Sequence, residues 1–325
     1  MTPVPEDRDT DSSECWGTGS ERPRETTLPE NPYRRTSAAE TATDRMIRIP
    51  GGTFRMGTDS DVGFPQDGEG PVRTVDLDPF YIDQYQVTNA HFTQFATETG
   101  YTTDAERYGW SFVFQDFVGP EQHEHVIDTS GDAGWWLAVE GANWFRPFGP
   151  GSSIEDRLKH PVVHVSWRDA VEYARWADKR LPTEAEWERA ARGGLESRRF
   201  PWGDELTSDG QHMCNIWQGT FPTENTLEDG YHGTAPVNVF KQNEFGLHNV
   251  AGNAWEWCAD WFTAEHSDGP LDNPIGPADG DGKVIRGGSY LCHRSYCNRY
   301  RVAARSSSAP TDATGNVGFR CVIDA

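Results

Sequence analysis

Two cysteines, Cys292 and Cys297, lie in the stretch Gly287-Gly288-Ser289-Tyr290-Leu291-Cys292-His293-Arg294-Ser295-Tyr296-Cys297-Asn298-Arg299-Tyr300. A thiol beside cations loses its proton more easily, because positive charge stabilises the thiolate, which is both the nucleophile and the metal ligand. Arg294, Arg299 and His293 supply such cations in sequence. Gly287-Gly288 just upstream lets two backbones approach closely. The competing reading is structural: two small apolar fillers, or a disulfide closing a short loop. A lone C-x4-C spacing leaves both readings open.

Two further constellations are rich in oxygen. Asn215-Ile216-Trp217-Gln218-Gly219 is followed by Glu228-Asp229-Gly230-Tyr231. Asn249-Val250-Ala251-Gly252-Asn253-Ala254-Trp255-Glu256-Trp257 alternates side-chain oxygens with carbonyls near a glycine. Each could converge on Ca2+, which takes six to eight oxygen ligands. Each could equally be a polar loop held by Asx turns. His160 and His164 are four apart, but Pro161 and the Val pair read as extended chain, and no acidic ligand follows. No phosphate-binding loop, dinucleotide fingerprint or nucleophile elbow is present.

The chain that must position these residues has 325 positions and a formal charge of −22. That charge argues against nonspecific binding to nucleic acid or to an anionic membrane. No apolar run reaches spanning length, and Met1–Asp7 lacks a basic start and an apolar segment. Arg34-Arg35 is not followed by an apolar region. The expectation is a cytoplasmic protein. Six cysteines in so long a chain do not make a disulfide scaffold.

Residues 1–44, rich in Pro, Ser, Thr, Glu and Arg, are expected to be a disordered tail. One ordered domain is expected over 45–325. It opens with strands around a Gly-Gly turn in Met46–Gly57, then Phe80–Asp83. Thr88 is placed to cap a helix ending at Gly100. Residues 101–160 read as irregular and aromatic, and Val162–Val165 as a strand. Ser166 with Asp169, and Thr183 with Glu186, have capping-box spacing before apolar helical faces. Beyond Gly194, turns and short strands dominate.

Several segments resemble the formylglycine-generating enzymes, also called sulfatase-modifying factors. They are Ile49-Pro50-Gly51-Gly52-Thr53-Phe54-Arg55-Met56-Gly57, Arg180-Leu181-Pro182-Thr183-Glu184-Ala185-Glu186-Trp187-Glu188, Gly252-Asn253-Ala254-Trp255-Glu256-Trp257 and Asn316-Val317-Gly318-Phe319-Arg320-Cys321. These mark a superfamily that includes sulfoxide synthases and cysteine-free paralogues, so they speak to fold first. The resemblance implies an α+β fold, a C-type-lectin-like variant with little regular secondary structure. The discriminating piece is Cys292-His293-Arg294-Ser295-Tyr296-Cys297 followed by Arg299-Tyr300-Arg301. It is similar to the active-site segment of the true formylglycine-generating enzymes.

The resemblance implies oxidation, with O2, of the cysteine in a Cys-x-Pro-x-Arg motif of a sulfatase precursor to Cα-formylglycine. It implies Cu(I) held by Cys292 and Cys297, which agrees with the preference of soft thiolates for Cu(I). The substrate thiolate would be a third sulfur ligand, and a thioaldehyde would hydrolyse to the aldehyde with release of sulfide. Ser289 falls at a position near the oxygen pocket. Trp255, Arg294, Tyr296, Arg305 and Asn316 fall at positions that meet the substrate peptide. One structural Ca2+ site would use Asn215, Ile216, Asp229 and Tyr231; a second would use Asn249, Gly252, Ala254 and Glu256. Ala174, Ala191 and Val302 stand where secreted animal members carry disulfide cysteines, so none of those bridges is expected, and Cys15, Cys214 and Cys258 match no functional cysteine. Trp110 and Gln86 replace acidic residues, which bears on peptide preference. The expected partner is the sulfatase peptide, with no nucleic acid and no membrane, and the protein itself a monomer.

Overall fold

The computed structural model describes residues 45–130, 134–266 and 269–325. The expected tail over 1–44 lies outside the described residues.

The chain closes on itself through a small antiparallel sheet. Met46–Ile49 pairs with Phe80–Asp83, whose other edge takes the C-terminal strand Val322–Asp324. Alternation sends Phe80 and Ile82 inward. Beside it, Gly52–Met56 pairs with Arg73–Leu77, as the Gly-Gly break predicts. The core of the second half is a four-stranded sheet in the order Arg305–Ser308, Lys283–Arg286, Trp255–Trp261, Val317–Gly318. Its central strand is buried at five of its seven positions, consistent with packing on both faces.

The helices start where the capping signals place them. Thr88 accepts the His91 N–H, and Gly100 ends that helix, Asn89–Thr99, in the left-handed conformation. Ser166 and Thr183 form complete capping boxes with Asp169 and Glu186 at the heads of Trp167–Trp176 and Glu184–Arg192. Each satisfies backbone N–H groups that the first turn leaves without partners.

Two segments differ from expectation. Residues 101–160 are more regular than their composition suggests. Thr103 and Glu106 form a third capping box, for the helix Asp104–Tyr108. Trp110–Phe114, Trp136–Glu140 and Val126–Ser130 then make an antiparallel sheet. Aromatic bulk, rather than strict alternation, holds it: Phe114 lies against Phe117, Trp136, Trp217 and Phe221. Conversely, Val162–Val165 forms no strand. Only Pro161 makes a bridge, to Thr88, and His164 has a φ of 60°, which turns the chain out of extended geometry. No helix among the described residues is long and apolar enough to cross a membrane.

Candidate active site

The pair of cysteines is assembled by one carbonyl. The N–H groups of Tyr296, Cys297 and Asn298 all donate to the His293 oxygen at 3.0 Å. The chain thus coils once between residues 293 and 298, and residues five apart meet. Their sulfurs approach to 2.7 Å. That is longer than a disulfide bond, about 2.05 Å, and short enough for one metal ion or one covalent bond to link them after small rotations. Both are buried thiols, Cys292 1% and Cys297 2% exposed.

The Gly-Gly pair does what its position suggests. Gly288 has a φ of 73°, and a Cβ there would meet the Arg299 carbonyl at 2.9 Å. Only glycine lets the returning segment 299–300 pass so close. Ser289 follows, fully buried. Its N–H donates to Cys292 Sγ at 3.4 Å, and its Oγ accepts from Asn316 Nδ2 at 3.1 Å and from the Leu291 N–H at 3.3 Å. Asn316 is itself oriented by Thr314, whose hydroxyl donates to Oδ1 at 2.7 Å. Trp255 and Tyr300 lie in the same apolar cluster as both cysteines. Burial, with the thiols of Cys214, Cys292 and Cys297 nearby, pushes the Tyr300 hydroxyl up to about 12, so it stays protonated.

The electrostatic argument from neighbouring cations needs correction. Arg299 is bound bidentately to Asp67 at 2.6 and 3.0 Å, and Arg301 similarly to Glu69, with one contact at 2.6 Å. Both pairs are buried, so their charges cancel locally instead of acting on the thiols. His293 is held below its ordinary range by partial burial and by Arg294, so it is neutral at pH 7. The Ser289 N–H remains in polar contact with Cys292 Sγ.

Of the five residues expected to meet a peptide, Arg294 is exposed and Tyr296 half-buried. Tyr296 stacks on Phe221 with ring centres 4.4 Å apart and meets Trp135 edge-on at 5.1 Å. Phe221 and Trp135 are also half-buried, and no sequence pattern marked them. Trp255 and Asn316 are buried beside the thiols and Ser289. Arg305 is placed elsewhere. Only 2% exposed, it grips both oxygens of Glu184 at 2.7 and 2.6 Å and donates to the Thr263 carbonyl at 2.6 Å. Its donors serve the junction of helix and sheet, away from the thiol pair. Gln86 is likewise internal, donating to the Ala254 carbonyl at 2.7 Å. His160 and His164 bond to Thr234 and Ser111, and burial with nearby Arg157 lowers His160 to about 4.

The two oxygen-rich loops can be tested against a cation. In Asn215 the amide nitrogen donates to the Gly233 carbonyl at 2.8 Å, while Oδ1 is buried without a partner. In Asn249 the nitrogen donates to the Pro236 carbonyl at 3.1 Å, and Oδ1 is again buried without a partner. An orphaned acceptor of this kind is costly unless something fills it. Around Asn215, Asp229 accepts from the N–H groups of Ile216 and Tyr231 and from Gln218, which also donates to the Ile216 carbonyl. Burial raises the Asp229 carboxyl above its usual range, outweighing its hydrogen bonds and the nearby His212. Around Asn249 the balance differs. Glu256 accepts from Arg320 at 2.6 and 2.7 Å and from Trp187 at 2.7 Å, so its charge is already matched. The first set therefore fits a hard cation in both oxygens and charge; the second fits in oxygens. Clusters of three or more His, Cys, Asp or Glu with metal-binding geometry are absent among the described residues. Neither the thiol pair nor these carbonyl-rich sets is of that kind.

Residues 33–325 match the model of the sulfatase-modifying factor enzyme 1-like domain. A formylglycine-generating enzyme of Thermomonospora curvata is 61% identical over 284 residues, covering 86% of this chain and 93% of that protein. An inactive Cα-formylglycine-generating enzyme 2 of Bos taurus is 46% identical, covering 87% and 89%. The structure of PvdO from Pseudomonas aeruginosa superposes with a TM-score of 0.63 at 25% identity, covering 86% of this chain and 94% of that one. Family, fold and coverage coincide across the ordered domain, and the chain belongs to the sulfatase-modifying factor enzyme 1-like family, with formylglycine-generating enzymes among its close relatives.

Proposed function

We propose that this protein oxidises the cysteine of a Cys-x-Pro-x-Arg motif in sulfatase precursors to Cα-formylglycine, using O2 and Cu(I) held by Cys292 and Cys297. The observation that carries the reading is the meeting of two buried sulfurs, 2.7 Å apart, under a surface that carries Arg294 and Tyr296. A relative described as inactive is 46% identical, so overall similarity does not by itself carry the activity, and the reading rests on a dithiol able to hold a metal. Two thiolates suit a soft, low-coordinate monovalent ion. When bound, copper would supply one-electron chemistry towards O2.

The residues of the chain have definable tasks. The Ser289 N–H stabilises negative charge on Cys292 Sγ. Ser289 Oγ spends its acceptor capacity on Asn316 and Leu291, which leaves its hydroxyl proton to donate towards an incoming oxygen species. Tyr300, protonated at neutral pH, and Trp255 exclude water around the sulfurs. Tyr296, Phe221 and Trp135 offer apolar faces to the substrate backbone and proline, and Arg294 adds polar contact. Ca2+ in the first loop set would pin residues 215–231 beside Cys292, whose carbonyl accepts the Trp217 N–H at 3.1 Å. In the second set Ca2+ would bind more weakly, because Glu256 shares its charge with Arg320.

The test is incubation of the copper-loaded protein with O2 and a Cys-x-Pro-x-Arg peptide, followed by mass spectrometry. The expected product has its thiol replaced by an aldehyde, with sulfide released. A peptide of unchanged mass after verified copper loading would reduce the protein to a peptide-binding relative.

A further inference from the structure

A second polar cavity, of about 320 Å3, is lined by five arginines: Arg55, Arg192, Arg198, Arg199 and Arg301. This is unexpected in a chain of net charge −22. Three of the five are answered by carboxylates, Arg192 by Glu188 among them. Arg301 is held by Glu69, and Arg198 by Asp204 in a solvent-exposed pair. Arg55 and Arg199 are exposed, and among the described residues neither guanidinium is hydrogen-bonded to a carboxylate, although Arg199 lies near enough to Asp204 to act on it through space. Asp59, which accepts the Val72 N–H at 2.9 Å, is the lining carboxylate left without a guanidinium.

Arg192 belongs to a buried network that is short of negative charge. Its Nε and Nη2 bind Glu188 Oε1 at 2.9 and 2.6 Å. The same carboxylate also serves Arg286, which is shared with Glu184, which in turn holds Arg305. Three guanidiniums, of Arg192, Arg286 and Arg305, thus face two carboxylates, of Glu184 and Glu188. The shortfall is visible in atoms. Arg192, 4% exposed, keeps Nη1 buried without a hydrogen-bond partner, and Arg286 keeps Nε so. A buried donor without an acceptor is destabilising, more so on a charged group. Arg192 also lines this cavity, so the network that is short of negative charge reaches its wall.

We propose that the cavity is a binding site for a tetrahedral oxyanion, phosphate or sulfate, free or carried as a monoester. Guanidinium groups bind such oxygens in paired hydrogen bonds. An anion with oxygens in several directions can engage Arg55, Arg199 and Arg192 together, as a planar carboxylate cannot. The walls bring together Gly57, Thr58 and Val72 from one segment with Arg301 from the active-site segment. Occupancy would therefore tie the loop carrying Asp67 and Glu69 more firmly to the segment carrying Cys297.

The test is calorimetric titration of the full-length protein with inorganic phosphate, inorganic sulfate and phenyl sulfate, at constant ionic strength with chloride as reference. The expected result is one saturable site, weakened at least tenfold in the double variant Arg55→Gln, Arg199→Gln. Both side chains are exposed and neither guanidinium is hydrogen-bonded to a carboxylate among the described residues, so that variant should keep the wild-type melting temperature in chloride and the wild-type peptide turnover. Each single variant should show a smaller loss. Phenyl sulfate binding as tightly as inorganic sulfate would identify an ester as a ligand; binding of the inorganic ions alone would identify the free anion. Heats no different from chloride, or wild-type affinity in the double variant, would overturn the site.

Discussion

At the scale of the residue, chemistry depends on which atoms touch sulfur. Cys292 and Cys297 are drawn together by the His293 carbonyl, and the Ser289 N–H supports one of them. Replacing Cys297 by alanine should abolish tight Cu(I) binding and lower peptide oxidation by at least about a thousandfold, the scale of losing a reacting group. Competition against a Cu(I) chelator checks this, and stoichiometric copper with normal turnover would show that Cys297 is no ligand. Asn316 makes a finer case. It contacts Ser289, so Asn316→Ala is expected to reduce kcat by about 10- to 100-fold, or roughly 1.4–2.7 kcal/mol, while leaving KM for the peptide unchanged. A raised KM with constant kcat would instead make it a peptide contact. Direct sequence reading singled out the two thiols, the resemblance added Ser289 and Tyr296, and the reading of neighbouring cations overlooked what neutralises Arg299. Arg299 and Arg301 alternate in register with Asp67 and Glu69, more than two hundred positions earlier. That matched spacing of opposite charges was present in the sequence, but nothing local said the two segments would meet.

At the scale of the element, the helix Glu184–Arg192 links chemistry to scaffold. Its first residue, Glu184, is buried between Arg286 and Arg305, each on a neighbouring strand of the central sheet. Burial alone would raise its carboxyl, but the two guanidiniums overcome that and hold it at about 2. A depressed folded-state value means stability that is present above the unfolded value of about 4.5 and is lost as pH falls from there towards 2. Glu184→Gln should cost about 3–5 kcal/mol at pH 7, because it leaves buried cations without their partner. Urea unfolding between pH 2 and 7 checks both points: the variant should lack the part of the acid destabilisation that comes from Glu184. A wild-type-like dependence in the variant would place that acid sensitivity elsewhere. Helix starts were legible because a capping box is a local device. The sheet over 110–140 was not, since its strands are held by aromatic contacts with distant residues such as Trp217 and Phe221.

At the scale of the whole molecule, loops carry much of the chain and need internal ties. Buried ion pairs supply some, and of the three buried asparagine oxygens without partners, on Asn89, Asn215 and Asn249, the latter two lie in the oxygen-rich loops where a cation could supply more. Adding Ca2+ to chelator-treated protein should raise the melting temperature, with stabilisation of about 2.7 kcal/mol when free Ca2+ is a hundred times its Kd. Asn215→Ala should remove most of that gain and Asn249→Ala less, since Asp229 has only the more weakly acting His212 nearby whereas Glu256 is gripped by the Arg320 guanidinium. Calorimetric scans with Ca2+ and with chelator decide this; identical scans would dismiss the ion, and a larger loss in Asn249→Ala would reverse the order of the two sets.

The sequence by itself determined what depends on neighbours along the chain. It specified the capped helix starts, the Gly-Gly approach at Gly288, the first strands, the spacing of the two thiols and, through its motifs, the family. Only the tertiary structure decided which of those residues can act. Arg305 is closed off by Glu184, Gln86 by Ala254, and Arg299 and Arg301 by two acidic residues from the other end of the domain. The reason is physical. Whether a charge works on a substrate or on the fold depends on what neutralises it within a few ångströms, and those partners are brought together by folding across long stretches of chain.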